Sequence, residues 1–221
     1  MVMSYAQRQR DGKNHAEHNF FETGRITPPV QPVPDQRTSD NGWDSWQSCQ
    51  HGFKIDDVAP DIGDCLVDGS SKEQHDIIVD IIREADPDVI ITHDPTDYMP
   101  DHVAVAELVF RASFNASVPH YKTKVAKASK VTPIYYMDNL AGLSFVPTHF
   151  VDVSEEIDLK LEMLECHESQ LKWMRDHDHI DFADFVKTCA KYRGFQSNCA
   201  YAEAFRECLV YPKVQTKRLL P

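Results

Sequence analysis

The stretch DVIITHDPTDYMPDHVAV, residues 88–105, joins an apolar, β-branched run to a crowd of metal-capable side chains. Val89 to Thr92 suits a short buried strand, predicted over 88–93. Beyond it stand aspartates at 94, 97 and 101, histidines at 93 and 102, and prolines at 95 and 100. Pro100 can open a helix at its first position, where no amide donor is missed. Val103 to Ala116 continues as a largely apolar helix. Strand, polar loop and helix in this order form half of a βαβ unit, and ligands in such sheets sit beyond the carboxyl ends of the strands. The alternative is a polar loop before an acidic helix start, since turn chemistry accounts for loop aspartates equally well.

Working outward, Ser71-Lys-Glu-Gln74 is a capping-box pattern. Apolar residues at 77, 78, 81, 82 and 85 predict one buried helical face, and Pro87 stops that helix. PIYYMD (133–138), HFVDV (149–153) and AFRECLVY (204–211) read as further strands. Ser154 is placed to cap one long helix over 155–175, and a second helix, 181–192, ends near Gly194. This rhythm predicts an α/β, Rossmann-like, mostly parallel sheet covered by helices. The first sixty residues break it. They are polar, include TPPVQPVP (27–34) and show no period. The expected organisation is therefore a polar, proline-containing tail over 1–60 and one domain over 61–221, with the fold incomplete at its N-terminal side.

The chain has 221 residues and a formal net charge of −12. Nucleic acid and anionic membrane surfaces need a basic field, so neither is expected as a partner. No run reaches the roughly 18 apolar residues of a membrane span, and the N-terminus lacks an apolar signal core. A cytoplasmic protein is the expectation. The six cysteines are scattered without a C-x-x-C pair, which predicts reduced thiols and no paired-cysteine zinc site.

READPDVIITHDPTDYMPDHVAVAELVFRASF (83–114) resembles the PIG-L/LmbE-like family of zinc-dependent N-deacetylases, in which H-P-D-H follows a strand ending in T-H. The resemblance continues through PIYYMDNLAG, FVDVSEEIDLKLEMLECHESQ and YRGFQSNCAYAEAF, with a weaker trace in HGFKIDD (51–57). It implies hydrolysis of the N-acetyl group of an N-acetylglucosamine conjugate, with zinc as cofactor. By this resemblance His102 matches a zinc ligand, Asp101 a supporting catalytic aspartate, and Arg193 an arginine near the substrate. Asp97 and Tyr98 would line the pocket.

The sequence departs from the family at two places. Met99 occupies the position of the family's acid or oxyanion-stabilising histidine, and a thioether serves neither purpose well. The upstream A-H-P-D-D motif, which supplies two zinc ligands and the general base, is not found. His15 and His18 are its nearest substitute, but they read as solvated. Zinc binding is accordingly expected to be weak. His93 reads as a structural strand-end residue, His167 to Gln170 as a match to the family's H-x-S-Q or equally as packing on a long helix, Arg193 alternatively as a helix-end charge, and His177 and His179 as a solvated loop. No G-x-G-x-x-G follows a strand, which disfavours a dinucleotide-binding domain. The expected function is zinc-dependent N-deacetylation of a small-molecule conjugate. The alternative is an impaired or truncated family member that binds without catalysis. A homo-oligomer is left open.

Overall fold

The computed structural model describes residues 62, 66–214 and 220. Ser71 accepts the Gln74 amide at 3.3 Å and opens α1, Lys72–Ala85, as the capping pattern predicts. Asp86, in the left-handed region, ends it. β1 is Ile90–Thr92, and α2, Pro100–Asn115, begins with its proline in the first turn. β2, Ile134–Met137, and β3, His149–Asp152, fall inside their expected spans.

Three local expectations need correction. The buried stripe of α1 is His75, Ile78, Val79, Ile82 and Arg83, and Ile77 is exposed. Two polar residues lie in that stripe, so the buried face is turned from the apolar pattern: Ile78 and Ile82 are shared, Ile81 packs against the core, and Ala85 is exposed. The long helix over 155–175 is broken. α3, Ile157–Glu165, stops at Cys166, then α4, Glu168–Trp173, runs into a π-helical turn, Met174–Asp178. Ser154 caps neither, because its hydroxyl bonds to Asp152 and accepts the Tyr201 amide at 3.1 Å. Finally, Gly194 does not end its helix: α5, Phe182–Ser197, runs past it to a left-handed Asn198. A Cβ on Gly194 would stand 2.7 Å from the carbonyl oxygens of Cys199 and Ala200, so the glycine permits close backbone approach.

β4, Ala202–Glu207, lies between β2 and β3, giving the order β1-β2-β4-β3. β1 and β2 are parallel, while β4 runs antiparallel to both of its neighbours. The fold is thus mixed α/β. A mostly parallel sheet is not found among the described residues, and β1 is at its edge there rather than in the interior. The cause is visible where the helical excursion closes. The Val153 amide donates to the Tyr201 carbonyl at 3.0 Å, so β4 starts where β3 stops and must run back.

Alternation along the strands supplies two cores. Ile90, Ile134 and Tyr136 pack with Ile82, Leu108 and Val109 of α1 and α2. Tyr135 and Phe205 pack with Val89 and Leu220 on the opposite face. Arg83 is 2% exposed and ties the end of α2 to the loop that follows. Its guanidinium donates to the carbonyls of Ala116 at 3.1 Å, Val118 at 2.9 Å, Tyr121 at 2.9 Å and Val125 at 2.6 Å. Cys166 is disulfide-bonded, which corrects the expectation of reduced thiols at that position, whereas Cys189, Cys199 and Cys208 are free. Scattered spacing carries no information about such a pairing. Among the described residues no helix is long and apolar enough to cross a membrane.

Candidate metal centre and active site

The loop between β1 and α2 is shaped by its own aspartates. Asp94 accepts the Thr96 amide at 2.8 Å, a side-chain turn that carries the backbone away from the strand. Its second oxygen takes the guanidinium of Arg206 from β4, with Nε at 3.0 Å, which pins the loop to the sheet. Asp97 accepts the Met99 amide at 3.0 Å through Oδ1. Through Oδ2 it meets His102 Nδ1 at 2.8 Å, and its side chain is only 1% exposed. Pro100 then starts α2 and carries His102 round to face the strand end.

His93 leaves β1 directly against His102. The rings stack with centroids 3.7 Å apart and planes 16° from parallel. One ligand atom from each of His93, Asp97 and His102 lies within 4.8 Å of the others. Burial, then the neighbouring His102, pushes the His93 pKa down to about 3, with Asp97 opposing. His93 is therefore a neutral imidazole at ordinary pH.

The other expected site residues fall into two groups. Tyr98 and Met99 are exposed at the mouth of the loop, and burial, followed by the charge of Asp97, pushes the Tyr98 phenol up. Met99 stands at the N-cap of α2 without a side-chain cap bond, and Asp101 is half-buried in the first turn. Arg193 belongs to a separate cluster. It is 4% exposed inside α5, and its Nε donates to Asp138 at 2.5 Å. Nη1 donates to Gln196 at 2.9 Å, and the guanidinium lies over the rings of Tyr192 and Phe145. Gly142, at φ +66°, keeps the space that a Cβ would close to 3.0 Å from Arg193 Nη2.

Asp138 follows β2 as His93 follows β1. Thr92 is paired with Tyr136 in the parallel register, so both residues stand at the same end of the sheet. The second oxygen of Asp138 is buried and has no hydrogen-bond partner among the described residues. Neither His93 nor Asp138 was singled out for function in the sequence. The available signal was position: each directly follows a strand of the parallel pair. His167 lies at the break between α3 and α4, and His177 stacks on Trp173. His15, His18 and the HGFKIDD segment lie outside the described residues.

Two imidazoles and a carboxylate are a donor set of catalytic zinc sites. The buried Asp97 adds a second indication. Asp94 and Asp138 are each paired with an arginine, while the ion-pair partner of Asp97 is an imidazole. The residues present fit a divalent metal.

The profile of the PIG-L family, described as GlcNAc-PI de-N-acetylase, matches residues 5–113. The chain carries a PIG-L family match over about half of its length. The match begins inside the segment read from sequence as a tail. The chain is also similar to the diacetylchitobiose deacetylase of Thermococcus kodakarensis, 27% identical over 145 residues covering 62% of the chain and 51% of the relative. It thus spans about half the length of that relative. In structure it resembles the N,N'-diacetylchitobiose deacetylase of Pyrococcus horikoshii, with a TM-score of 0.51 and 21% identity over 62% of this chain and 51% of that one. It equally resembles the 4-carboxy-2-hydroxymuconate hydratase of Pseudomonas putida, with a TM-score of 0.54 and 22% identity over 68% and 63% of the two chains. A deacetylase and a hydratase share this fold, so the fold does not choose between their reactions.

Proposed function

We propose that this chain is a cytoplasmic, zinc-dependent hydrolase that removes the N-acetyl group from a small-molecule N-acetylglucosamine conjugate. The observation that carries the reading is the convergence of His93, Asp97 and His102 at the carboxyl end of β1 in a chain with a PIG-L match. Water adds to the acetyl carbonyl, the carbon–nitrogen bond breaks, and the products are acetate and a free amine that has gained a proton. His102 would hold the zinc, which when bound would supply Lewis-acid polarisation of that carbonyl.

The protein's own groups divide the remaining work. Asp97 holds the His102 ring in orientation. Asp101, one residue before His102 at the helix start, is the carboxylate proposed to handle the proton of water. Tyr98 keeps its phenolic proton at neutral pH and is open to solvent, so it can donate a hydrogen bond to the sugar. Arg193 already donates to Asp138, Gln196 and the Gly142 carbonyl, and acts on substrate by holding Asp138.

The test is acetate release from diacetylchitobiose and from an N-acetylglucosaminyl inositol conjugate by the zinc-loaded chain. Release that is abolished in His102→Ala supports the reading. A folded, zinc-loaded chain that releases none from either conjugate overturns it. A second reading rests on Met99, whose thioether cannot protonate the leaving amine. In that reading the protein binds such conjugates without turnover, and calorimetric binding with no acetate release would establish it.

A further inference from the structure

We infer that the conjugate taken by this site carries an uncharged aryl aglycone, which lies over an apolar rim formed by Tyr98, Met99 and Leu143. The inference rests on the deacetylase reading for the position of the sugar and adds the chemistry of the group attached to it.

Topology brings the rim together. β1 and β2 are parallel, so the loop after Thr92 and the loop after Met137 leave the sheet at the same end. Cys189 of α5 is near both loops. Its thiol donates to the Leu140 carbonyl at 3.4 Å, and after burial and Asp97 it also raises the Tyr98 phenol. The second loop is built to present Leu143. The Asn139 side chain donates to the Leu143 carbonyl at 2.7 Å and accepts the Leu143 amide at 2.9 Å. Gly142 and Ser144, on either side, both have left-handed backbone, at φ +66° and +57°. A serine rarely adopts that conformation unless the surrounding structure imposes it. As a result Leu143 is 60% exposed, while Phe145, two positions on, is 6% exposed in the core. An exposed leucine alone is ordinary. One held outward by two hydrogen bonds and a left-handed serine, at the same end of the sheet as the exposed Tyr98 and Met99, is a built surface.

Charge and ring chemistry narrow the ligand. Two guanidiniums at this end of the sheet, Arg206 and Arg193, are held by Asp94 and Asp138. A phosphate or carboxylate drawn to either would have to break one of these pairs. A phenol ring and a thioether favour an aromatic partner beyond the area they bury, through ring–ring and sulfur–ring contacts.

The test compares the β-linked phenyl, cyclohexyl and methyl N-acetylglucosaminides with N-acetylglucosamine 1-phosphate on the full, zinc-loaded chain. Binding is read by calorimetry, and by kcat/KM for acetate release where the chain turns over. The phenyl glycoside is expected to bind at least about tenfold tighter than the methyl one. Cyclohexyl should fall about two- to tenfold behind phenyl, and the phosphate should bind no tighter than methyl. Leu143→Gln should cut the phenyl-over-methyl ratio by about three- to tenfold. Phenyl and methyl glycosides that bind alike, cyclohexyl that matches phenyl, a phosphate that exceeds phenyl, or no binding at all would each overturn the inference. Acetate release at equal kcat/KM from all three glycosides overturns it and spares hydrolysis. Ranked binding without acetate release does the reverse.

Discussion

Asp97 and His102 share a hydrogen bond of 2.8 Å across the start of α2, with the aspartate almost wholly buried and the histidine open to the site. His102 lies five positions after Asp97, and the turn between them is closed by the Met99 amide on Asp97 Oδ1. The carboxylate therefore sets both the loop and the ring. Asp97→Asn keeps the shape but removes the charge. Acetate release should fall by about 10–100-fold, with a smaller change in thermal stability. Loss of folding at equal temperature, with unchanged activity per folded molecule, would contradict this role.

Arg83 is expected to resist conservative replacement. It reaches carbonyls of residues 116, 118, 121 and 125 through three nitrogens in a fixed fork. A lysine restores the charge at a single point. Arg83→Ala should cost about 2–4 kcal/mol in urea unfolding, and Arg83→Lys should recover less than half of that loss. Full recovery by lysine would show that charge, not the fork, is what the loop requires.

Gly194→Ala separates the two explanations of that glycine. A methyl group would press on the backbone carbonyls of residues 199 and 200 at 2.7 Å, and backbone cannot swing aside like a side-chain tip. A loss of about 1–3 kcal/mol is expected on thermal unfolding. A helix gains from alanine over glycine, so a stabilised variant would refute the close approach.

Lys213 gives a pH signature remote from the site. It is 2% exposed, donates to Ser113 Oγ at 2.6 Å and lies over the Phe110 ring. Burial pushes its pKa below the ordinary 10.5, and Cys208 opposes this only in part. The unfolded chain therefore binds the proton more tightly. Stability contributed by this group is absent below the lowered pKa, grows as pH rises through it, and is complete above 10.5. Lys213→Met should remove that rise in chemical unfolding measured between neutral pH and pH 10. A slope that survives the substitution would assign it to another group.

Met99→His tests whether the family histidine is what limits turnover. The side chain stands exposed at the start of α2, so histidine fits without repacking. It adds a proton donor but leaves the ligand set unchanged, and acetate release should rise less than about tenfold. A larger rise would make the missing acid the dominant defect.

Local signals in the sequence determined the elements whose causes are themselves local. Ser71 with Gln74, Pro100 at a helix start, and the β-branched run before His93 each act within a turn or two of chain. The positions of α1, α2, β1, β2 and β3 therefore follow from the sequence alone, as does the placing of the 93–102 loop at a strand end. Tertiary structure alone decided the rest. The direction of β4 depends on where a helical excursion of almost fifty residues returns, and Val153 with Tyr201 fixes that return. Arg83 and His75 are polar residues in a buried stripe, acceptable only because loop carbonyls and Tyr121 supply partners more than thirty residues away. His93 joins His102 by stacking, and Asp97 has an imidazole for its ion-pair partner while Asp94 and Asp138 take the arginines of β4 and α5. Pairing of charges is settled in space, and no spacing along the chain records which aspartate goes without an arginine.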